Sequence, residues 1–318
     1  MRIERKLKMT LDESRLMMLG AQVFFGFQLN GTFQDAFEDL AFHARAAICI
    51  ALVLMMFTIA LFIAPSMQHR IIEQGQATNR ILSATTLMVG LALLPFGVTL
   101  GIDLFVSIER LFGTAAGFWA GGLICSLAVL SWFVLELIIR ARRKIPMREE
   151  DDTKPTPLEA KIEQMLTEAR LIIPGAQALL GFQLAVTLTH AFEQVPTASK
   201  LVHAGALCCV ALCIILLLTP ASLHRISFGG EDSRTFLRLG SAFVISAPLP
   251  LAIGMAADMY VAIEKAIDAF VPALIVSIST AVVLLGFWYV YPLVRRYQLQ
   301  RTERAVRGRA RPHRTARA

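Results

Sequence analysis

The sequence predicts an all-α polytopic membrane protein with eight transmembrane helices in two parallel four-helix repeats. Three observations carry that reading. The 318 residues are 56% hydrophobic and 17% charged, whereas soluble domains hold roughly 45–50% apolar residues and about a quarter charged ones. The apolar residues fall in long blocks: Ala46–Ala64, Ile81–Ile102, Thr114–Ile139, Leu201–Thr219, Phe236–Ala257 and Phe270–Leu293. Roughly twenty helical residues cross the hydrocarbon layer of a bilayer, so each block is long enough to span. Finally, the chain repeats itself. A soluble enzyme, a secreted disulfide scaffold and a disordered regulator are all excluded.

The repeat has a constant offset of 155 residues. Glu13-Ser-Arg-Leu-Met-Met-Leu-Gly-Ala-Gln22, followed by Gly26-Phe-Gln-Leu29, returns as Glu168-Ala-Arg-Leu-Ile-Ile-Pro-Gly-Ala-Gln177 and Gly181-Phe-Gln-Leu184. Ten of the seventeen positions from Glu13 to Leu29 are identical. Pro65 with His69-Arg70 returns as Pro220 with His224-Arg225, and Asp103 with Glu109 returns as Asp258 with Glu264. An ungapped register of this length reads as a tandem duplication.

Taken in order, Arg15–Phe33 and Ala169–Thr189 are the short, Gly- and Gln-rich first spans, each supporting the other. The remaining blocks supply three further spans per copy. An even number of spans gives both copies one orientation, unlike the inverted repeats of many transporters. The expected units are a first four-helix repeat at 1–141, a cytoplasmic linker at 142–156, a second repeat at 157–297 and a disordered basic tail at 298–318. Thr10-Leu-Asp-Glu13 and Thr156-Pro-Leu-Glu159 have the form of helix capping boxes, the second with Pro at the first helical position.

Orientation follows from the basic residues, which collect on the cytoplasmic side. With both termini inside, 27 of the 31 Lys and Arg lie in inner segments, leaving Arg45, Arg110, Lys200 and Lys265 outside. The predicted environment is a bacterial inner membrane, with anionic headgroups at the basic linker and tail. Nucleic acid is not expected as a partner. No cleavable signal sequence is expected near Leu16–Phe33. The five cysteines lie inside apolar blocks without metal-ligand spacing, and read as packing residues rather than disulfides or zinc ligands.

The Gly-Ala-Gln-x-x-x-Gly-Phe-Gln-Leu opening and the Pro-x-x-x-His-Arg ending of the second span resemble a family of uncharacterised bacterial integral membrane proteins with four spans. The resemblance covers Glu13–Arg140 and Glu168–Arg295. It implies a four-helix unit fused to a second one, and a pseudo-dimer within one chain. For some relatives it also brings a sodium:proton antiporter reading.

The candidate functional residues follow from polarity inside the spans. Gln22, Gln28, Gln177 and Gln183 either line a solute path between the copies or act as interhelical hydrogen-bonding glue. Gln22 and Gln177 are expected to face the repeat interface. His69, Arg70, His224 and Arg225 follow helix-bending prolines at the inner surface, where they read as interfacial anchors, with pH sensing as the functional alternative. Asp103, Glu109, Asp258 and Glu264 form either an outer cation vestibule or solvated helix ends. Glu136 is the carboxylate within an apolar block, close to the inner end beside Arg140.

No nucleophile–base pair, Walker loop, metal-ligand set or dinucleotide fingerprint is present, so no enzyme activity and no cofactor are expected. Two functions remain: a passive or secondary transporter of a small solute or cation through the repeat interface, or a non-transporting scaffold or interaction module. Sodium:proton exchange is disfavoured, because no span places a carboxylate at mid-depth.

Overall fold

The computed structural model describes residues 3–134, 137–138 and 156–309. Glu136, Arg140, most of the 142–156 linker and the end of the tail lie outside the described residues. Among the described residues, ten helices of two turns or more make up the fold. The first half has α1 (Ile3–Gly31), α2 (Phe42–Ile71), α3 (Asn79–Phe112) and α4 (Thr114–Val129). The second half has α5 (Leu158–Val186), α6 (Thr197–Ile226), α7 (Arg234–Ser246), α8 (Pro248–Ile267), α9 (Phe270–Leu285) and α10 (Tyr291–Arg309).

Local chemistry repeats at the same offset as the sequence. Thr78 accepts from the Ile81 amide to open α3, and Ser233 accepts from the Phe236 amide to open α7, each removing one orphan donor of a helix start. Gly113 and Asp268 both adopt positive φ where the third and fourth helices meet. Gly75 and Gly230 do so between the second and third. A five-residue π-helical turn follows both α4 and α9, at Leu130–Val134 and Gly286–Val290. The halves differ where α3 runs unbroken while its counterpart divides into α7 and α8. Pro248 has no N–H to continue the ladder there.

Among the described residues, seven stretches are long and apolar enough to cross a membrane, with α7–α8 and α9–α10 each counting as one. The first helix, expected as an eighth, is not among them, because Arg15, Gln22, Gln28 and Asn30 interrupt its apolar stretch. Consecutive long helices run antiparallel: Gln28 near the end of α1 meets Asp103 in α3, and Arg15 meets Ser66 near the end of α2. The bundle therefore has a basic end, carrying Arg15, Arg70 and α10, and an acidic end, carrying Asp103, Glu109, Glu264 and their loops.

Several expectations need correction. Both first helices begin earlier than their apolar stretches suggested. Thr10 lies inside α1, its hydroxyl donating to the Lys6 carbonyl, so it caps nothing. Pro157 precedes α5 without a side-chain cap, while Thr156 binds instead across the gap, accepting from the Ala77 amide at 3.2 Å. Residues 298–309, expected within a disordered tail, continue α10 as helix.

The halves do not meet about a two-fold axis. The first helices α1 and α5 pack on one another, and α2 also packs on α7, α8, α9 and α10 of the other half. Most of α2 is consequently buried, including Ala51–Leu52 and every residue from Thr58 to Ile71. Its counterpart α6 packs chiefly on α5, α7 and α8 of its own half. The core runs along α1, α2, α5 and α8, with Phe25, Met55, Phe62, Leu179, Met255 and Trp288 among its fully buried members. Trp288 lies in the π-helical turn and donates its indole N–H to the Ala60 carbonyl at 3.0 Å, which fixes α2 to the end of the second half.

Candidate functional site

The candidate residues gather at the two ends of the bundle. At the acidic end the structure pairs residues that the sequence treats separately. The Gln28 amide donates to Asp103 Oδ2 at 2.7 Å, and the Gln183 amide donates to Asp258 Oδ2 at 2.6 Å. Each pair joins the first helix of its half to the third span, at identical repeat positions. The signal was available: both members of both pairs recur in register, and the first and third members of an up-down unit run parallel, so residues near the same end can meet.

The two pairs differ in surroundings. Asp258 is fully buried, with His203 Nδ1 at 3.4 Å from its second oxygen, and His203 Nε2 lies 3.0 Å from the Gln183 carbonyl. This closed His–Asp–Gln cluster encloses Asp258, which the sequence offers as part of an outer vestibule or a solvated helix end. Sequence reasoning missed His203 because a lone histidine in an apolar block reads as packing, and Ile48 occupies its repeat position. In the first half the equivalent space is open, a cavity of about 340 Å³ lined by Gln28, Asp103, Ile48 and Arg110.

The acidic helix ends are engaged rather than simply solvated. Glu109 Oε1 accepts from Thr114 at 2.7 Å and lies 2.8 Å from His43 Nε2. Glu264 is held by Ser199 and by the Tyr260 hydroxyl at 3.0 Å. In the adjoining loop, Glu38 lies 2.5 Å from the Lys265 ammonium at the end of α8, which holds its carboxyl below the usual value.

The glutamines do not line a common path. Gln22 is fully buried between α1 and α5, where neither end of its amide finds a hydrogen-bond partner. A Cβ at Gly175 would collide with that amide, and one at Gly26 would collide with the Phe182 ring. The α1–α5 seam is therefore close-packed at these levels. Gln177 is exposed, against the expectation that it faces the interface. The physical reason is the unsymmetrical docking: equivalent positions of the two halves meet different neighbours.

The basic end holds the arrangement least legible in the sequence. Arg15, Arg70 and Glu168 are all buried where the two halves meet. Arg70 Nη2 lies 2.5 Å from Glu168 Oε2, and Arg15 Nη2 lies 3.6 Å from the same oxygen. Arg15 also reaches Asp12 at 2.9 Å. Two guanidinium groups thus share one buried carboxylate, with the partly exposed Asp12 as a second counter-ion. Burial of such charges is tolerated only with partners this close.

Beside this cluster opens a cavity of about 670 Å³. His69, Arg70, Lys161, Arg234, Arg238 and Arg296 line it, together with Gln164 and Ser241. No acidic side chain is among its described lining residues. His69 is almost fully buried, the Gln76 backbone lies nearby, and neither ring nitrogen makes a hydrogen bond of ordinary geometry. Arg70 Nε and Gln164 Oε1 are likewise unpartnered.

The expectation that His69 and Arg70 anchor in headgroups is corrected here, because α8–α10 cover α2 and turn both residues inward. Their counterparts stay outside the core. Arg225 is exposed, and His224 is half-buried against Phe236, its Nε2 at 3.5 Å from Asp232.

Long apolar helices carrying buried polar clusters define a polytopic helical membrane protein. The chain belongs to the family of unknown function DUF6328, whose model matches it twice, over residues 1–136 and 151–292. No curated protein and no solved structure matches it.

Proposed function

We propose that this is an eight-helix membrane protein, formed by internal duplication, that binds a phosphate-type anion at its basic end. The observation that carries the reading is the cavity holding His69 and Arg70. Five cationic side chains converge on it, and buried donors within it lack protein partners. Buried polar groups are normally satisfied, so unpartnered ones beside an open space indicate a ligand or ordered water. Guanidinium groups match the planar, multidentate geometry of phosphate oxygens.

In this reading α1 is the eighth span, its Arg15 neutralised within the protein by Glu168 and Asp12. The basic end faces the cytoplasm of a bacterial inner membrane, as the distribution of Lys and Arg supports. The anion then arrives from the cytoplasm or from the inner leaflet. The engaged carboxylates and the close-packed α1–α5 seam speak against a cation path between the halves. They favour a binding or scaffold role over transport as the second reading.

The test is the thermal unfolding of the full chain in a non-ionic detergent, with inorganic phosphate or pyrophosphate titrated at constant ionic strength. Expected is a saturable upward shift that chloride does not reproduce. It should weaken at least about tenfold in affinity, roughly 1.4 kcal/mol, in Lys161→Gln with Arg238→Gln. Nanodiscs with and without phosphatidylglycerol separate a lipid headgroup from a soluble anion. Stability indifferent to both sources overturns the proposal.

A further inference from the structure

The two halves repeat one another, and their interface joins repeat equivalents at Lys8–Glu163 and Phe27–Phe182, but it is otherwise made from unlike surfaces. The first half contributes a face containing Gln22, Gly26, Ala60 and Arg70. The second half answers with Gly175, Phe182, Trp288 and Glu168. None of these partners are repeat equivalents of each other. Such a head-to-tail contact always leaves two complementary surfaces unused. Here they are the equivalents of the first face, on the second half, and of the second face, on the first half.

Both surfaces are open. On α2, Ala60, Ile63 and Ile71 are 0%, 1% and 4% exposed under the second half. Their equivalents on α6, Ile215, Leu218 and Ile226, are 61%, 46% and 81% exposed. The other surface shows the same contrast. Met259, Ala266 and Ala273 are buried, while their equivalents Leu104, Leu111 and Phe118 are exposed. A Cβ at Gly26 would strike Phe182, and one at Gly175 would strike Gln22, but their equivalents Gly181 and Gly20 have nothing within 4 Å.

The charges complete the match. Among the ion pairs that cross between the halves are Arg70 with Glu168 and Lys265 with Glu38. Their repeat equivalents are Arg225 with Glu13 and Arg110 with Glu193. All four residues are exposed, and within one chain each pair is divided between the two open surfaces. Opposite signs are thus retained at both positions.

We infer that a second copy of this chain docks head-to-tail, its α3–α4 surface covering α6 as α8–α9 covers α2. The equivalent of the Trp288–Ala60 contact then joins Phe133 of one chain to Ile215 of the next. Head-to-tail contacts close into rings when the rotation permits. Each chain brings two units, and the smallest such ring is two chains with four units around an axis normal to the membrane. The inference is independent of anion binding at the basic end.

Native mass spectrometry of the full chain from lipid nanodiscs tests it. Expected is a species of twice the 35.0 kDa chain mass. Arg225→Glu and Glu13→Arg should each raise the dissociation constant at least about tenfold, a cost of roughly 1.4 kcal/mol. The double variant should recover association, with thermal unfolding checking that all variants fold. Direction is read in a cysteine-free background by mixing Ile215→Cys chains with Phe133→Cys chains. Oxidation should link the two kinds to each other. A single-chain species under all conditions means that lipid alone covers these faces, and overturns the inference. Ile215→Cys chains that link efficiently to themselves show a symmetric contact and overturn it equally.

Discussion

Glu168→Gln removes one charge from the buried cluster while keeping the shape of the side chain. Arg70 loses its partner at 2.5 Å, and Arg15 loses one at 3.6 Å but keeps Asp12 at 2.9 Å. Two unit charges about 4 Å apart attract by about 4 kcal/mol at an effective dielectric near 20. Stranding a buried charge typically costs about 3–5 kcal/mol. Because Asp12 still serves Arg15, the loss should fall near the lower figure, about 3 kcal/mol. Replacing both members, Arg70→Met with Glu168→Met, should cost less than the single change, since no new charge is stranded. The exposed Lys8–Glu163 pair at 2.7 Å provides the contrast, and Glu163→Gln should stay within about 1 kcal/mol. Unfolding in mixed micelles with rising SDS fraction measures all three. A loss under about 1 kcal/mol for Glu168→Gln would refute the cluster as a buried ion network.

Gln22 has an amide without a protein partner in a close-packed seam, which costs about 1–3 kcal/mol. Gln22→Met should therefore raise the same unfolding midpoint, and Gln177→Met, on an exposed site, should not. Gly26→Ala places a methyl against Phe182 and should cost about 1–3 kcal/mol through overpacking, whereas Gly90→Ala meets open space and should be neutral or stabilising. Reporter fusions after Gly113 and Asp268 should read external and those after Lys154 cytoplasmic; the reverse pattern rejects the orientation. Everted vesicles should show no sodium-dependent proton movement above an empty-vesicle control, because Asp103 and Asp258 are held by Gln28 and Gln183. Exchange that disappears with Asp258→Asn would instead assign proton coupling to the His203–Asp258 pair.

The sequence by itself determined what depends on neighbours along the chain. Membrane class follows from block length and apolarity, because a bilayer demands about twenty apolar residues in a row. The 155-residue register places the same turn at Gly113 and Asp268, and the same cap at Thr78 and Ser233. The Gln28–Asp103 and Gln183–Asp258 pairs were nearly legible too, since every member recurs in register.

What the sequence left undecided depends on how the two halves dock. Repeat equivalence suggested that Gln22 and Gln177 share an interface and that His69-Arg70 and His224-Arg225 share a surface role. Only the tertiary structure breaks that equivalence. The second half covers α2 but none of the described residues covers α6 in the same way, so identical motifs become buried in one copy and exposed in the other. Arg15, Arg70 and Glu168 come from three helices on both sides of that contact, and no periodicity or spacing within one helix encodes a charge cluster assembled across it. Pairwise distance between remote segments is set by packing, and packing is the property that a linear pattern does not carry.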